Sequence, residues 1–250
     1  MGAGANLDEL MFECGLDSLH PGGLRQTEAL ARMCGIGRGM KVLDAGSGRG
    51  ATAMHLARTF GCLVVGIDRQ QRMVDHASST ARKEGLVGSV RFVGGDIQKL
   101  PFDAGSFDVV FSECTTTLVD RSRAFAEFLR VLKPGGRLGD SDVIWTRTPP
   151  DDLVERARAT WEGFSTLTLD GWRTYLESLG LTDVRSADFT QPPAELEADM
   201  KRELGPGRLF RLGILLISRP DLRAAVMEYG KMVTAYGNYF GYASFAGTKS

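Results

Sequence analysis

The sequence predicts an α/β protein: a doubly wound, mostly parallel sheet of seven strands, with a helical insertion before the last strand. Three observations carry that expectation. From Lys41 onward, short apolar runs alternate with segments of helical period. Val109, Val110 and Phe111 form the continuous apolar run of a central parallel strand. Val42-Leu43-Asp44-Ala45 runs into Gly46, Gly48 and Gly50, where a strand turns on glycine into a helix. Such a turn places a ligand at the carboxyl edge of the sheet.

Each element follows from local pattern. Leu24, Leu30, Ala31 and Cys34 recur at helical spacing before Gly35, a natural stop, so a helix is expected over 24–35. Leu7 to Phe12 is a shorter candidate, and His20-Pro21-Gly22-Gly23 breaks the chain between them. Strands are expected near 41–45, 62–67, 90–94, 107–112, 137–144, 182–189 and 241–248. Helices fit 50–60, 70–84, 121–132, 151–164 and 170–180. Phe125, Phe128, Leu129 and Leu132 form a stripe that packs one helix on the sheet, and Trp172, Tyr175, Leu176 and Leu179 do so for another. The stretch 190–241 holds Pro192-Pro193, a helix from Ala194 to Leu204, the Gly205-Pro206-Gly207 break and two further helical pieces. There Leu222, Val226, Tyr229, Val233 and Tyr236 share one face. The expected division is an N-terminal helical lid over 1–40, a cofactor-binding α/β core over 41–189, a helical insertion or substrate cap over 190–241 and a final core strand over 242–250.

Composition narrows the function. Thirty basic residues against 31 acidic ones, net −1, give no nucleic-acid surface. Cys14, Cys34, Cys62 and Cys114 are scattered without a C-x-x-C pair, so neither a disulfide framework nor a resident metal is expected. No basic segment followed by an apolar leader is visible, and the longest apolar stretch, Leu212 to Ile217, is too short to span a bilayer. A cytoplasmic protein is expected; a homodimer is compatible with the sequence.

Two ligand classes compete for the glycine turn. Gly46, Gly48 and Ala51 satisfy a dinucleotide pattern, with Asp68 at the spacing of a ribose-binding acid. Asp44, two residues before the first glycine, argues against a pyrophosphate, which needs a helix N-terminus free of negative charge. A carboxylate there suits a ligand with an amino group or positive charge.

At this point the sequence resembles the class I S-adenosylmethionine-dependent methyltransferases, whose fold is Rossmann-like. Gly66-Ile67-Asp68 resembles the end of the family's second strand, Gly95-Asp96-Ile97 followed by Leu100-Pro101-Phe102 its adenine segment, and Ser106 to Phe111 its fourth strand. Arg130-Val131-Leu132-Lys133-Pro134-Gly135-Gly136 resembles the turn into the fifth. The resemblance implies S-adenosyl-L-methionine as cofactor: Asp44, Gly46, Ser47, Gly48 and Gly50 at its methionine end, Asp68 with Arg69 at the ribose, and Asp96 with Ile97 at the adenine. It also implies a small-molecule methyl acceptor. In-line methyl transfer needs alignment and water exclusion, with a proton acceptor only where the acceptor group requires one.

The acceptor side falls to Ser112-Glu113-Cys114-Thr115-Thr116-Thr117-Leu118, just past the fourth strand. Glu113 is a candidate to accept a proton, orient an amine or hold the methionine end; Cys114 is a candidate soft ligand or a small buried residue. His20 is a third candidate catalytic residue, in the lid. Trp145 and Arg147, past the fifth strand, are candidate pocket walls. Glu113 to Val143 also resembles arsenite methyltransferases, matching N-C-V-x-N-L and S-D-V at Cys114, Leu118, Ser141, Asp142 and Val143, with Val131 in R-V-L-K-P-G-G. Glu113 and Thr117 replace both asparagines, Ala53 replaces an upstream cysteine, and Cys14 alone is left to join Cys114. A methyltransferase for a thiophilic element using Cys114, or a cofactor-binding protein without turnover, are the alternatives.

Overall fold

A computed structural model describes residues 22–250 except residue 162; Cys14, His20 and the helix expected over 7–12 lie outside the described residues. Seven strands form one sheet in the order β3-β2-β1-β4-β5-β7-β6. They are β1 (Lys41–Ala45), β2 (Leu63–Asp68), β3 (Val90–Gly94), β4 (Phe107–Glu113), β5 (Leu132–Trp145), β6 (Leu181–Asp188) and β7 (Phe240–Lys249). β7 runs antiparallel to both β5 and β6, and the other pairs are parallel. The expected fold class is the one observed.

Helices α1 (Gly23–Met33), α2 (Ala51–Phe60), α3 (Gln71–Lys83), α4 (Arg121–Val131), α5 (Asp151–Thr160) and α6 (Leu169–Ser178) accompany the strands, and α7 (Pro193–Ser218) and α8 (Pro220–Tyr236) lie between β6 and β7. The alternation along β4 builds two cores. Val110 joins Phe125, Phe128, Trp172 and Phe245 in one. Val109 and Phe111 join Leu30, Cys34 and Leu56 in the other. Residues buried on both faces explain why β4 reads as unbroken apolar sequence. Short side chains start two of the helices: the Asp120 carboxylate accepts from Arg123 N at the head of α4, and Thr168 Oγ1 from Gly171 N at the head of α6.

Two boundaries differ from expectation. β5 starts five residues early, because Phe107 already pairs with Leu132; the register then jumps to Val109 with Arg137, so the Lys133–Gly136 turn is looped out inside the strand. α5 ends at Thr160 because Trp161 turns extended (φ −120°, ψ 109°) and packs on Phe164, Tyr229 and Phe240. As expected, the chain breaks at Gly205, which is non-helical (φ 64°, ψ 170°) and divides α7 into two helices.

Beneath the carboxyl edge, β5 carries two buried acids. Asp142 accepts from Thr116 Oγ1 (3.1 Å), Thr117 N (3.1 Å), Thr117 Oγ1 (2.8 Å) and Val143 N (2.8 Å), which ties the turn after β4 to β5. Among the described residues Asp140 accepts from Thr116 Oγ1 alone, at 3.2–3.3 Å. Burial first, and the neighbouring Asp142 charge second, push Asp140 well above the usual carboxylate range. A raised folded-state pKa stabilises the fold fully below the ordinary Asp value and loses that contribution as pH rises through the raised value. Asp140→Asn keeps an acceptor for Thr116 and removes the titration. Its expected effect is a gain of about 1–3 kcal/mol on the alkaline side of the raised value, shrinking as pH falls toward the ordinary Asp value. Urea denaturation across that range checks it, and a stability difference independent of pH would contradict it.

Candidate active site

β1 and β4 are adjacent, and the chain leaves them toward opposite edges of the sheet; a crevice opens at such a switch point, beyond the strands' carboxyl ends. The glycine turn is its floor. Gly46 N and Ser47 N both donate to Ile67 O of β2 at 2.9 Å. Gly48 N donates to Asp68 Oδ2 at 2.9 Å, and Gln70 N to Asp68 Oδ1 at 2.8 Å. Asp68 thus ties the turns after β1 and β2 together. Gly46 has φ 83°, and a Cβ there would lie 2.3 Å from Thr115 Oγ1, so both backbone and space demand glycine. Gly50, at φ 83°, heads α2 without any side-chain cap.

The structure brings nearly all the sequence candidates into one cleft. Asp44, Gly46, Ser47 and Gly48 line it from β1; Asp68 and Arg69 from β2; Asp96 and Ile97 from the turn after β3; Glu113 and Cys114 from β4. Gly50 stands behind this lining, where a Cβ would meet the Phe92 ring at 2.5 Å. Ile97 is also buried in the sheet core, whereas the Asp96 carboxylate is exposed and accepts from Gln98 N at 2.8 Å. Trp145 is instead buried in an aromatic cluster against Phe164 and Phe240, and Arg147 stacks over Tyr239.

Electrostatics converge on Asp44. It is 2% exposed, and among the described residues neither its Oδ2 nor the buried Ser47 Oγ has a hydrogen-bond partner. Burial, then the charges of Glu113 and Asp68, push Asp44 well above the usual carboxylate range. Glu113 accepts from Thr52 Oγ1 (2.7 Å) and from Thr27 Oγ1 (3.1 Å to each oxygen), which binds α1 to the cleft. Cys114 has a positive φ of 50°, and its N donates to Ser141 O at 2.8 Å. Burial, Asp142, Glu113 and Asp140 push its thiol well above the ordinary value, which opposes the thiolate form that a thiophilic acceptor needs. Cys34 and Cys62 lie in the core on the α1 side, away from Cys114.

Sequence reasoning missed the threonines. Thr27, Thr52 and Thr115 shape the cleft from three elements, and only Thr115, beside Cys114, lay in a stretch already singled out.

An orphaned, desolvated carboxylate beside an uncapped helix start and a ribose-spaced acid fits a nucleoside that carries a cationic amino-acid end. The fold and this cleft define a class of nucleoside-binding α/β proteins. Residues 42–136 match the model of the methyltransferase domain family. The chain is 35% identical over 196 residues to methyltransferase GfsG of Streptomyces halstedii, covering 73% of this chain and 69% of that one. It is 30% identical over 192 residues to 27-O-demethylrifamycin SV methyltransferase of Amycolatopsis mediterranei (strain S699), covering 75% and 71%. Among solved structures, the [4+2]-cyclase SpnF superposes with a TM-score of 0.73 at 25% identity, covering 98% of this chain and 92% of that one. The chain belongs to the class I S-adenosylmethionine-dependent methyltransferases.

The glycine turn provides a test of the site's construction. Gly46→Ala combines positive φ with a clash against Thr115 and should cost about 2–4 kcal/mol. Gly48→Ala, at φ 49° with no atom of the described residues beyond its chain neighbours within 4 Å of the new Cβ, should cost about 1 kcal/mol. Urea midpoints of the two variants check the ranking; equal losses would contradict it.

Proposed function

We propose that this methyltransferase acts on a small, largely apolar molecule, with the acid-lined cleft as the cofactor seat. The observation that carries the reading is Asp44 Oδ2, buried at the turn without a partner. Bound S-adenosylmethionine supplies an activated methyl group on a sulfonium. Asp44 and Glu113 would hold the ammonium of its methionine end, beside Gly46, Ser47 and Gly48. Asp68 would take the ribose hydroxyls; each of its oxygens accepts one backbone N–H and keeps a lone pair for another donor. Arg69 follows at the rim, and Asp96 with Ile97 would hold the adenine. Gly50 acts from behind by shaping the turn.

On the acceptor side, Glu113 is held by Thr27 and Thr52, which suits it to orienting a cation in a fixed geometry. Cys114 forms wall as a neutral thiol. His20 is proposed at the mouth of the site, within a lid over 1–40, and the α7–α8 segment as the substrate cap of the 190–241 insertion. Leu118 lines the cleft and also packs in the aromatic cluster of Trp145, Trp161 and Tyr229, which favours an apolar acceptor. The relative named for 27-O-demethylrifamycin SV supports a small organic acceptor. Action in the cytoplasm is proposed with it; among the described residues no helix is long and apolar enough to cross a membrane.

Asp44 gives the test a pH signature. Its carboxyl is raised in the free protein, and a bound cation favours the ionised form. Binding should therefore release a proton, and affinity should rise with pH through the raised value. Calorimetry of S-adenosylmethionine binding in two buffers of different ionisation enthalpy reads this directly. Asp44→Asn should abolish the buffer dependence and weaken binding about tenfold or more. Unchanged affinity in both Asp44→Asn and Asp68→Ala would overturn the assignment of the seat. Conversion of an acceptor without methyl incorporation would instead favour chemistry like that named for the [4+2]-cyclase.

A further inference from the structure

We infer that the second helix of α7, after the Gly205 break, is a docking face that seats this protein on an anionic lipid surface. The inference extends the proposed function, since an apolar acceptor partitions into such a surface and is met there.

Local sequence builds the face. From Leu209 to Ile217, seven of nine residues are large and apolar. One side of this helix is already used: Leu212, Leu215 and Leu216 pack with Leu204, Leu222 and Val226, which joins α7 to α8. Phe210, Ile214 and Ile217 recur at helical spacing on the other side. They are 72%, 51% and 79% exposed. A helix that is apolar all round is normally covered on every side. Among the described residues eight large apolar side chains are exposed, and α7 and α8 supply five of them: Leu209, Phe210, Ile214, Ile217 and Met227. Scattered apolar residues on a surface mean little, but a stripe on one helix marks a contact surface.

Charge selects the partner. The acids of α7, Glu195, Glu197, Asp199 and Glu203, all precede Gly205. After it the helix holds Arg208 and Arg211 and no acid, although the whole chain is slightly acidic, at net −1. Arg211 is exposed directly beside Phe210 and makes no ion pair among the described residues. An exposed apolar stripe flanked by arginines suits a helix lying in a lipid interface, with its apolar side toward the acyl chains and its cations among anionic headgroups. A second copy docked through the same face by a two-fold axis would set these arginines against their own kind, so charge opposes self-association there. The helix lies on the bilayer and does not span it, being neither long nor apolar enough to cross. Through α8 the face is joined to the acceptor side: Tyr229 and Met232 share a cluster with Trp145 and Leu118, and Leu118 lines the cleft.

Co-sedimentation of the full chain with lipid vesicles tests this. Mixed phosphatidylglycerol–phosphatidylcholine vesicles should bind about tenfold or more tightly than phosphatidylcholine alone, and the difference should shrink as salt is raised. The double variant Phe210→Ser, Ile217→Ser removes side chains that already face water, so its urea midpoint should hold while vesicle affinity falls about tenfold or more. Arg211→Gln should lower affinity for the anionic vesicles about fivefold and leave that for phosphatidylcholine unchanged. Leu63→Ser, at an exposed apolar residue that opens β2, should change neither. Equal binding to both vesicle types, binding to neither, or binding that survives the double variant would overturn the docking face. Self-association of the wild type in sedimentation velocity, abolished by the same double variant, would overturn it in favour of a second copy. S-adenosylmethionine affinity, measured by calorimetry without vesicles, reports separately on the cofactor seat and should be the same in all variants.

Discussion

The cleft depends on a carboxylate that has been taken out of water with one oxygen, Asp44 Oδ2, left without a partner among the described residues. Asp44 ends a buried strand, and two further acids, Glu113 and Asp68, raise the local negative potential around it. In a closed protein interior such an arrangement is unfavourable, because each acid opposes ionisation of the others. It makes sense only where a cation is to be received. The same three acids would repel a diphosphate, so the choice between the two ligand classes for a glycine turn is made by charge and not by the glycines.

The turn and the acids are mechanically one unit. Asp68 holds Gly48 and Gln70 through their backbone N–H groups, so displacing the acid would loosen the floor under the ligand. Thr115 fills the space a side chain on Gly46 would need, which ties the turn after β4 to the turn after β1. That second turn is tied in its own right to β5 by Asp142. Hydrogen bonds and one close steric contact thus link the sheet edge from Asp68 through the glycine turn to the turn after β4 and on to β5.

The acids of the cleft were legible because strand ends are marked by pattern: Asp44, Asp68 and Asp96 each close an apolar run, and parallel strands bring such ends to one edge. Thr27 was not, since nothing local marks a threonine that meets Glu113 across 86 residues of sequence. Asp142 read as part of a motif and Asp140 was not singled out, because the burial of both depends on β7 inserting beside β5. The break at Gly205 was legible because glycine leaves helical geometry there and the proline that follows opens the next helix, where its missing N–H would be unpaired anyway.

Cys114 shows how placement overrides residue type. The sequence around it resembles a thiolate site, but its immediate neighbours are Asp142, Glu113 and Asp140, which share a negative field and raise the thiol. A negative field attracts a sulfonium or an ammonium and holds a thiol protonated, so one set of charges serves the cofactor seat and opposes a soft-metal reading of the same position. The polar groups left to address an uncharged acceptor are then neutral ones. In this cleft those are hydroxyls, which can pair with an acceptor oxygen without adding charge to a site that already carries as much as its burial allows.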